Sequence, residues 1–216
     1  MPLYRQFELA GVDIVVWKIT ESVDELLGMV PAECASYALV KFRSERRCAE
    51  WLAVRAIVAR WWGDAARVVY DSAGRPSLDG VGQNISISHT KGYAVVAFSS
   101  ANAVGVDVEL LSRDVVAVAG RFMSAGMLED VLPEKKNFVA LVHWCAKEAL
   151  YKIVGDLGGD FKDNIYVGEF QPRDEGRVAV TMVGLDGYDG VGFFADYAVL
   201  DDLLVVLCHG RNGRAF

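Results

Sequence analysis

Two long stretches of helical periodicity, residues 45–62 and 134–154, stand inside a chain otherwise made of short strands and shorter helices. That order restricts the fold more than any single motif. Ser44 is placed to cap the first long helix and Gly63 to end it; Pro133 suits the start of the second. Shorter helices are expected at 21–29, 31–40 and 113–123. Strands are expected at Val12–Ile19, Arg67–Tyr70, Ile85–Ser88, Tyr93–Ser99 and Val104–Leu110, then near 164–170, 177–183, 192–200 and 203–208, with Gly and Asp turns between. Asp71–Pro76 reads as a turn-rich connector, and Lys91–Gly92 as the tip of a hairpin. Strand, helices, strands is thus followed by strand, helices, strands. The order predicts an α+β fold of two similar halves, 1–103 and 104–216. No sequence repeat accompanies it, so the duplication rests on element order alone.

Composition narrows the class of protein. Of 216 residues, 53% are hydrophobic and 24% charged, enough apolar surface to offset chain entropy, which excludes a disordered chain. Lys and Arg number 22 against 29 Asp and Glu, a net charge of −7, which argues against a nucleic-acid partner. Apolar runs fall short of the roughly 20 residues a membrane helix needs. The first residues, Met-Pro-Leu-Tyr-Arg-Gln-Phe-Glu, have no signal-peptide core. Cys34, Cys48, Cys145 and Cys208 are far apart and form no CxxC pair, so they are expected as buried thiols of a cytoplasmic, disulfide-free protein. With only three histidines besides, a zinc site is not expected.

Four constellations can carry chemistry. In Gly105-Val-Asp107-Val-Glu109, strand alternation sends both carboxylates to one face, about 7 Å apart. Paired carboxylates resist burial unless a cation lies between them, and all-oxygen ligation suits Mg²⁺. A solvated edge strand has the same spacing. In Trp144-Cys-Ala-Lys147-Glu148-Ala-Leu-Tyr-Lys152, helical spacing aligns Trp144, Glu148 and Lys152 beside an apolar face of Phe138, Leu141, Val142, Cys145 and Ala149. Glu148 and Lys152 form either an ordinary i, i+4 pair or an inward-facing acid and cation. In that second case Glu148 adds a third carboxylate to the first two. In Asn84-Ile-Ser-Ile-Ser88-His89-Thr90, a strand ends in a polar segment open to anion binding, or His89 is a hydrogen-bonded structural residue. Ser88 and His89 point to opposite faces and no Gly-x-Ser-x-Gly elbow is present, which excludes a hydrolase dyad. Gly74-Arg75-Pro76 with Lys41, Arg43, Arg46 and Arg47 upstream could grip phosphate or form a solvated face. Arg55, on the apolar stripe of its helix, is expected to be structural and to seek an acid. No P-loop and no GxGxxG is present.

In order and spacing these segments resemble the Sfp-type 4′-phosphopantetheinyl transferases. The resemblance spans residues 40–155 and includes the helix Lys41–Val58. It implies a pseudo-twofold pair of halves with the site in the cleft between them. It also implies Mg²⁺-dependent transfer of the phosphopantetheine arm of coenzyme A to a serine of an acyl or peptidyl carrier protein, releasing 3′,5′-adenosine bisphosphate. Carried over by position, Asp107, Glu109 and Glu148 would hold the metal. Glu148 would be the base for the carrier serine, and Lys152 would neutralise charge on the transferred phosphate. Ser88, His89 and Arg75 would bind the nucleotide phosphates, with Arg43 and Arg47 as further candidates, and Lys147 would support the phosphates or the helix.

The chain departs from the family pattern in three places. Residues 20–40 hold no lysine for the 3′-phosphate, Arg75 replaces the usual lysine, and Ser-Ala-Gly-Met at 124–127 replaces an acidic residue. An acidic carrier would need a local apolar or basic patch, for which Met123, Met127 and Leu128 are candidates, although core packing is their commoner role. The expected enzyme is a monomer, a two-half chain being able to complete the cleft alone. A catalytically idle module that binds CoA or a carrier is the alternative. The acceptor is expected to serve fatty-acid, polyketide or nonribosomal peptide synthesis.

Overall fold

A computed structural model describes residues 3–72, 74–100, 103–155, 160–184 and 191–210. The fold is α+β, with two antiparallel sheets and a few helices, and the chain divides into two compact units, Met1–Ser100 and Ala101–Phe216.

In the first unit, β1 (Leu3–Leu9) and β2 (Val12–Lys18) lead into α1 (Val23–Leu27), α2 (Ala32–Lys41) and α3 (Glu45–Trp62). Four strands follow: β3 (Arg67–Tyr70), β4 (Pro76–Asp79), β5 (Asn84–Thr90) and β6 (Tyr93–Ser99). They pair in the order β1-β2-β6-β5-β4-β3. β6, Tyr-Ala-Val-Val-Ala-Phe-Ser, is buried along its whole length, as suits an inner, β-branched strand. Ala53, Val54 and Ile57 of α3 pack on Val15, Trp17, Val96 and Phe98. Ser44 caps α3 by accepting from the Arg47 amide, and Gly63 ends it at φ 77°, where a side chain would be strained. The helix expected over 21–29 is shorter because Ser22 and Glu25 form a capping box that starts it at Val23. Two strands go beyond the sequence reading. β1 is an exposed edge strand with no continuous apolar face, and β4 follows directly on the turn at 71–75.

The second unit runs β7 (Val104–Leu110), a 3₁₀ turn (Val116–Arg121), α4 (Pro133–Val154), β8 (Ile165–Val167), β9 (Glu175–Met182), β10 (Gly192–Leu200) and β11 (Leu203–Gly210). The strands pair in the order β7-β11-β10-β9-β8. Leu141, Val142, Cys145, Ala149 and Leu150 of α4 bury against Val178, Val180, Phe193, Ala195, Leu204 and Val206. The helix expected at 113–123 is instead six residues of 3₁₀ turn. Asp114 accepts from the Val116 amide two residues on, a local bond that competes with a longer helix. Met123 lies in the core, with Met127 and Leu128 packed against it. All four cysteines are free thiols; Cys48, Cys145 and Cys208 are buried and Cys34 is half-buried. The turn expected at 185–190 lies outside the described residues. Among the described residues no helix is long and apolar enough to cross a membrane.

Candidate functional site

β7 and α4 approach unusually closely, and Gly105 makes this possible. A Cβ built on Gly105 would lie 1.8 Å from the Ala149 carbonyl oxygen, so helix backbone occupies the space a side chain would need. Residues one turn either side of Ala149 therefore reach β7. Lys152 donates through Nζ to the Val106 carbonyl at 2.7 Å and to Asp107 Oδ1 at 2.9 Å. Cys145 donates its thiol to the Asp107 carboxylate; burial, reinforced by that negative charge, pushes the thiol well above its ordinary range. Asp107 is buried and Glu109, two residues on, is half-buried.

Glu148 joins this cluster electrostatically. Burial raises its carboxyl above the usual range and the Asp107 charge raises it further, while Lys152 and Arg113 pull it back. A cation added between Glu148 and Asp107 would relieve the repulsion. Trp144, Glu148 and Lys152 are all half-buried along one side of α4, so the helical stripe read from spacing is present.

Arg113 and Asn137 were missed by the sequence reading. Arg113 forms an ion pair with Glu109, four residues earlier, and lies 5.6 Å from the Trp144 ring centre. Asn137, in the second turn of α4, fixes the loop carrying Arg113. It accepts from the Val115 amide at 3.0 Å and donates to the carbonyls of Arg113, at 2.9 Å, and Leu111, at 3.3 Å. The i, i+4 relation of Glu109 and Arg113 gave no signal because it runs from a strand into a loop rather than along a helix.

Lys147, by contrast, faces the interior. It is 2% exposed, donates to the Phe161 carbonyl, and burial lowers its pKa to about 8 against the opposing pull of Asp160 and Asp163. Of the two roles expected for it, the geometry serves support of the helix. His143, one turn earlier, is also buried and packs near Phe170.

The remaining candidates lie in the first unit. Arg43 is exposed between α2 and α3, and Arg47 is exposed in the first turn of α3. Arg75 is bound to Asp71 through both its amide, at 2.9 Å, and its Nε, at 2.8 Å. Ser88 is buried on β5. His89 points the other way, its Nδ1 3.7 Å from the buried carboxylate of Glu50, which Arg46 also reaches at 3.3 Å. Arg55 is buried, but aromatic groups hold it where an acid was expected. Its guanidinium carbon lies 3.8 Å from the centre of the Trp51 ring, and it donates to the Tyr70 hydroxyl. A delocalised guanidinium tolerates burial on an aromatic face.

Among the described residues, no group of three or more His, Cys, Asp or Glu side chains is gathered closely enough to hold a metal ion. Asp107 and Glu109 are instead paired with Lys152 and Arg113. The donor chemistry nevertheless suits a hard divalent cation: three carboxylates with no imidazole or thiolate among the oxygen donors, one of them destabilised by its neighbour's charge. No curated protein matches the chain. Residues 103–200, which hold β7, α4 and every member of this cluster, match the family model ACPS, that of the 4′-phosphopantetheinyl transferase superfamily.

Proposed function

We propose that the protein transfers the 4′-phosphopantetheine arm of coenzyme A to a serine of an acyl or peptidyl carrier protein, with Mg²⁺, releasing 3′,5′-adenosine bisphosphate. One observation carries the reading. Within the segment that matches the superfamily, Asp107, Glu148 and Lys152 form one electrostatic cluster built on the Gly105–Ala149 contact.

Asp107, Glu109 and Glu148 would hold the metal, which when bound neutralises charge on the CoA diphosphate. Glu148 takes the proton of the carrier serine, a poor nucleophile until it is removed. Its raised pKa brings the carboxyl nearer the range in which a general base works. Lys152, fixed by the Val106 carbonyl and Asp107, presents positive charge to the developing phosphate. Positioning and charge neutralisation are most of what phosphoryl-type transfer asks of a protein. On the same reading, residues 1–103 grip CoA through Arg43, Arg47, Arg75, Ser88 and His89, while 104–216 carry the metal and the catalytic helix. The two halves are taken to be pseudo-symmetric, and the enzyme to act as a cytoplasmic monomer.

The test is intact mass spectrometry of apo carrier proteins of fatty-acid, polyketide and nonribosomal peptide type, incubated with CoA, Mg²⁺ and the protein. A gain of one phosphopantetheine, lost with EDTA and with Glu148→Ala, supports the reading. CoA binding with no gain on any carrier overturns transfer in favour of a binding module.

A further inference from the structure

Arg113 is the charged member of the cluster to which the transferase reading gives no task. Its placement is nevertheless determined on three sides: Asn137 clamps the loop on either side of it, Glu109 takes its charge, and the Trp144 ring lies beneath it. Glu109 side-chain exposure is only 12%, so its charge is largely withdrawn from water and needs a partner; Arg113, at 46%, keeps water to return to.

We infer that Arg113 is a built-in counter-cation for Glu109 which competes with the divalent metal and must release that carboxylate before the metal can take it. This rests on the transferase reading only for the identity of the metal site. The two cations at the site differ in how firmly they are held. Lys152 is bound by a backbone carbonyl as well as by Asp107, and a strand carbonyl does not move away. Among the described residues no backbone carbonyl holds the Arg113 guanidinium; besides Glu109 it has the attraction of Glu148 and an aromatic face that can hold it whether or not Glu109 is engaged. The metal therefore enters on the Glu109 side, with Arg113 giving way and Lys152 staying. With Arg113 on Glu109 and Lys152 on Asp107, two of the three carboxylates are paired without metal, and metal binding costs the breaking of one ion pair.

The inference predicts that Arg113→Gln tightens Mn²⁺ binding. Mn²⁺ serves as the probe, with free ion read by electron paramagnetic resonance and no CoA or carrier present. The dissociation constant should fall about three- to tenfold, the range of a partly exposed ion pair plus one removed like charge. Arg113→Lys should lie between the two, and the gap should narrow in high salt, which a merely structural role would not produce. Asn137→Ala, which frees the loop, should shift affinity the same way by a smaller factor, and it decides the question if Arg113→Gln fails to fold. An unchanged or weakened constant, or no Mn²⁺ binding by wild type and variant alike, overturns the inference. Transfer is assayed in parallel on the wild type: Mn²⁺ binding without transfer counts against the transferase and leaves the competition measured.

Discussion

Gly105 and Ala149 meet backbone against side-chain position, with the Ala149 carbonyl oxygen 1.8 Å from where a Cβ on Gly105 would stand. A contact this close cannot be relieved by a rotamer change, because the obstructing atom belongs to the helix backbone. Gly105→Ala must therefore push α4 off β7, which we expect to cost about 3 kcal/mol or more. Chemical denaturation of the variant measures the loss. A cost below about 1 kcal/mol would mean that the helix is free to shift.

The Lys152–Asp107 pair, with side chains 27% and 10% exposed, is partly screened. Lys152→Met leaves Asp107 in place without that cation, at an expected cost of about 2 kcal/mol once exposure is discounted. The same change removes a charge that holds the Glu148 carboxyl down, so Glu148 should titrate at higher pH than in the wild type. Carboxyl NMR titration of both proteins checks the direction; no upward movement would contradict it.

Glu148 separates function from stability. Its carboxyl is raised in the fold, so its contribution to stability is present below its unfolded pKa and is lost as pH rises through the folded value. Glu148→Gln keeps a neutral group at all pH. At pH 7 the variant should melt above the wild type while transfer falls by about 10²- to 10⁴-fold, the scale of a lost general base. A variant that melts lower would show the carboxylate to be a structural partner.

Acid should destabilise the second unit through His143. Burial, aided by the charge of Lys147 one turn away, lowers its pKa from an ordinary 6.5 to about 4. A base depressed in the fold contributes stability that is present above 6.5 and lost as pH falls through about 4. The loss over that window is on the order of 3 kcal/mol. Denaturation of wild type and His143→Leu across pH 7 to 4 measures it, and parallel curves would exclude His143 as the source.

Local periodicity made the elements legible. The spacing of apolar residues and a Ser44/Gly63 cap pair bounded α3, and Pro133 began α4, because helix ends are decided by neighbouring residues. The edge strand β1 was not legible, since Arg5 interrupts the apolar alternation of Leu3, Phe7 and Leu9. At the site, alternation put Asp107 and Glu109 on one face of β7, and helical spacing put Glu148 and Lys152 on one side of α4. What spacing could not supply was the distance between strand and helix, and therefore which charges would meet. Lys152 reaches Asp107 where Gly105 lets α4 approach, and Arg113 meets Glu109 from a loop that Asn137, 24 residues on, holds. The same limit applies to Arg55, whose burial was foreseen while its aromatic partners, one of them 15 residues away, were not.

Asn137 has one more consequence, for the order in which this region opens. Leu132, at the start of α4, offers no side-chain cap, so the first turn is free to fray. Asn137 sits beyond that turn, and its three bonds to the loop survive fraying up to its own position. The Val115 amide should accordingly exchange with solvent as slowly as the middle of the helix rather than as fast as the loop around it. The loop that presents Arg113 thus shares the opening energy of α4, and the two behave as one cooperative unit.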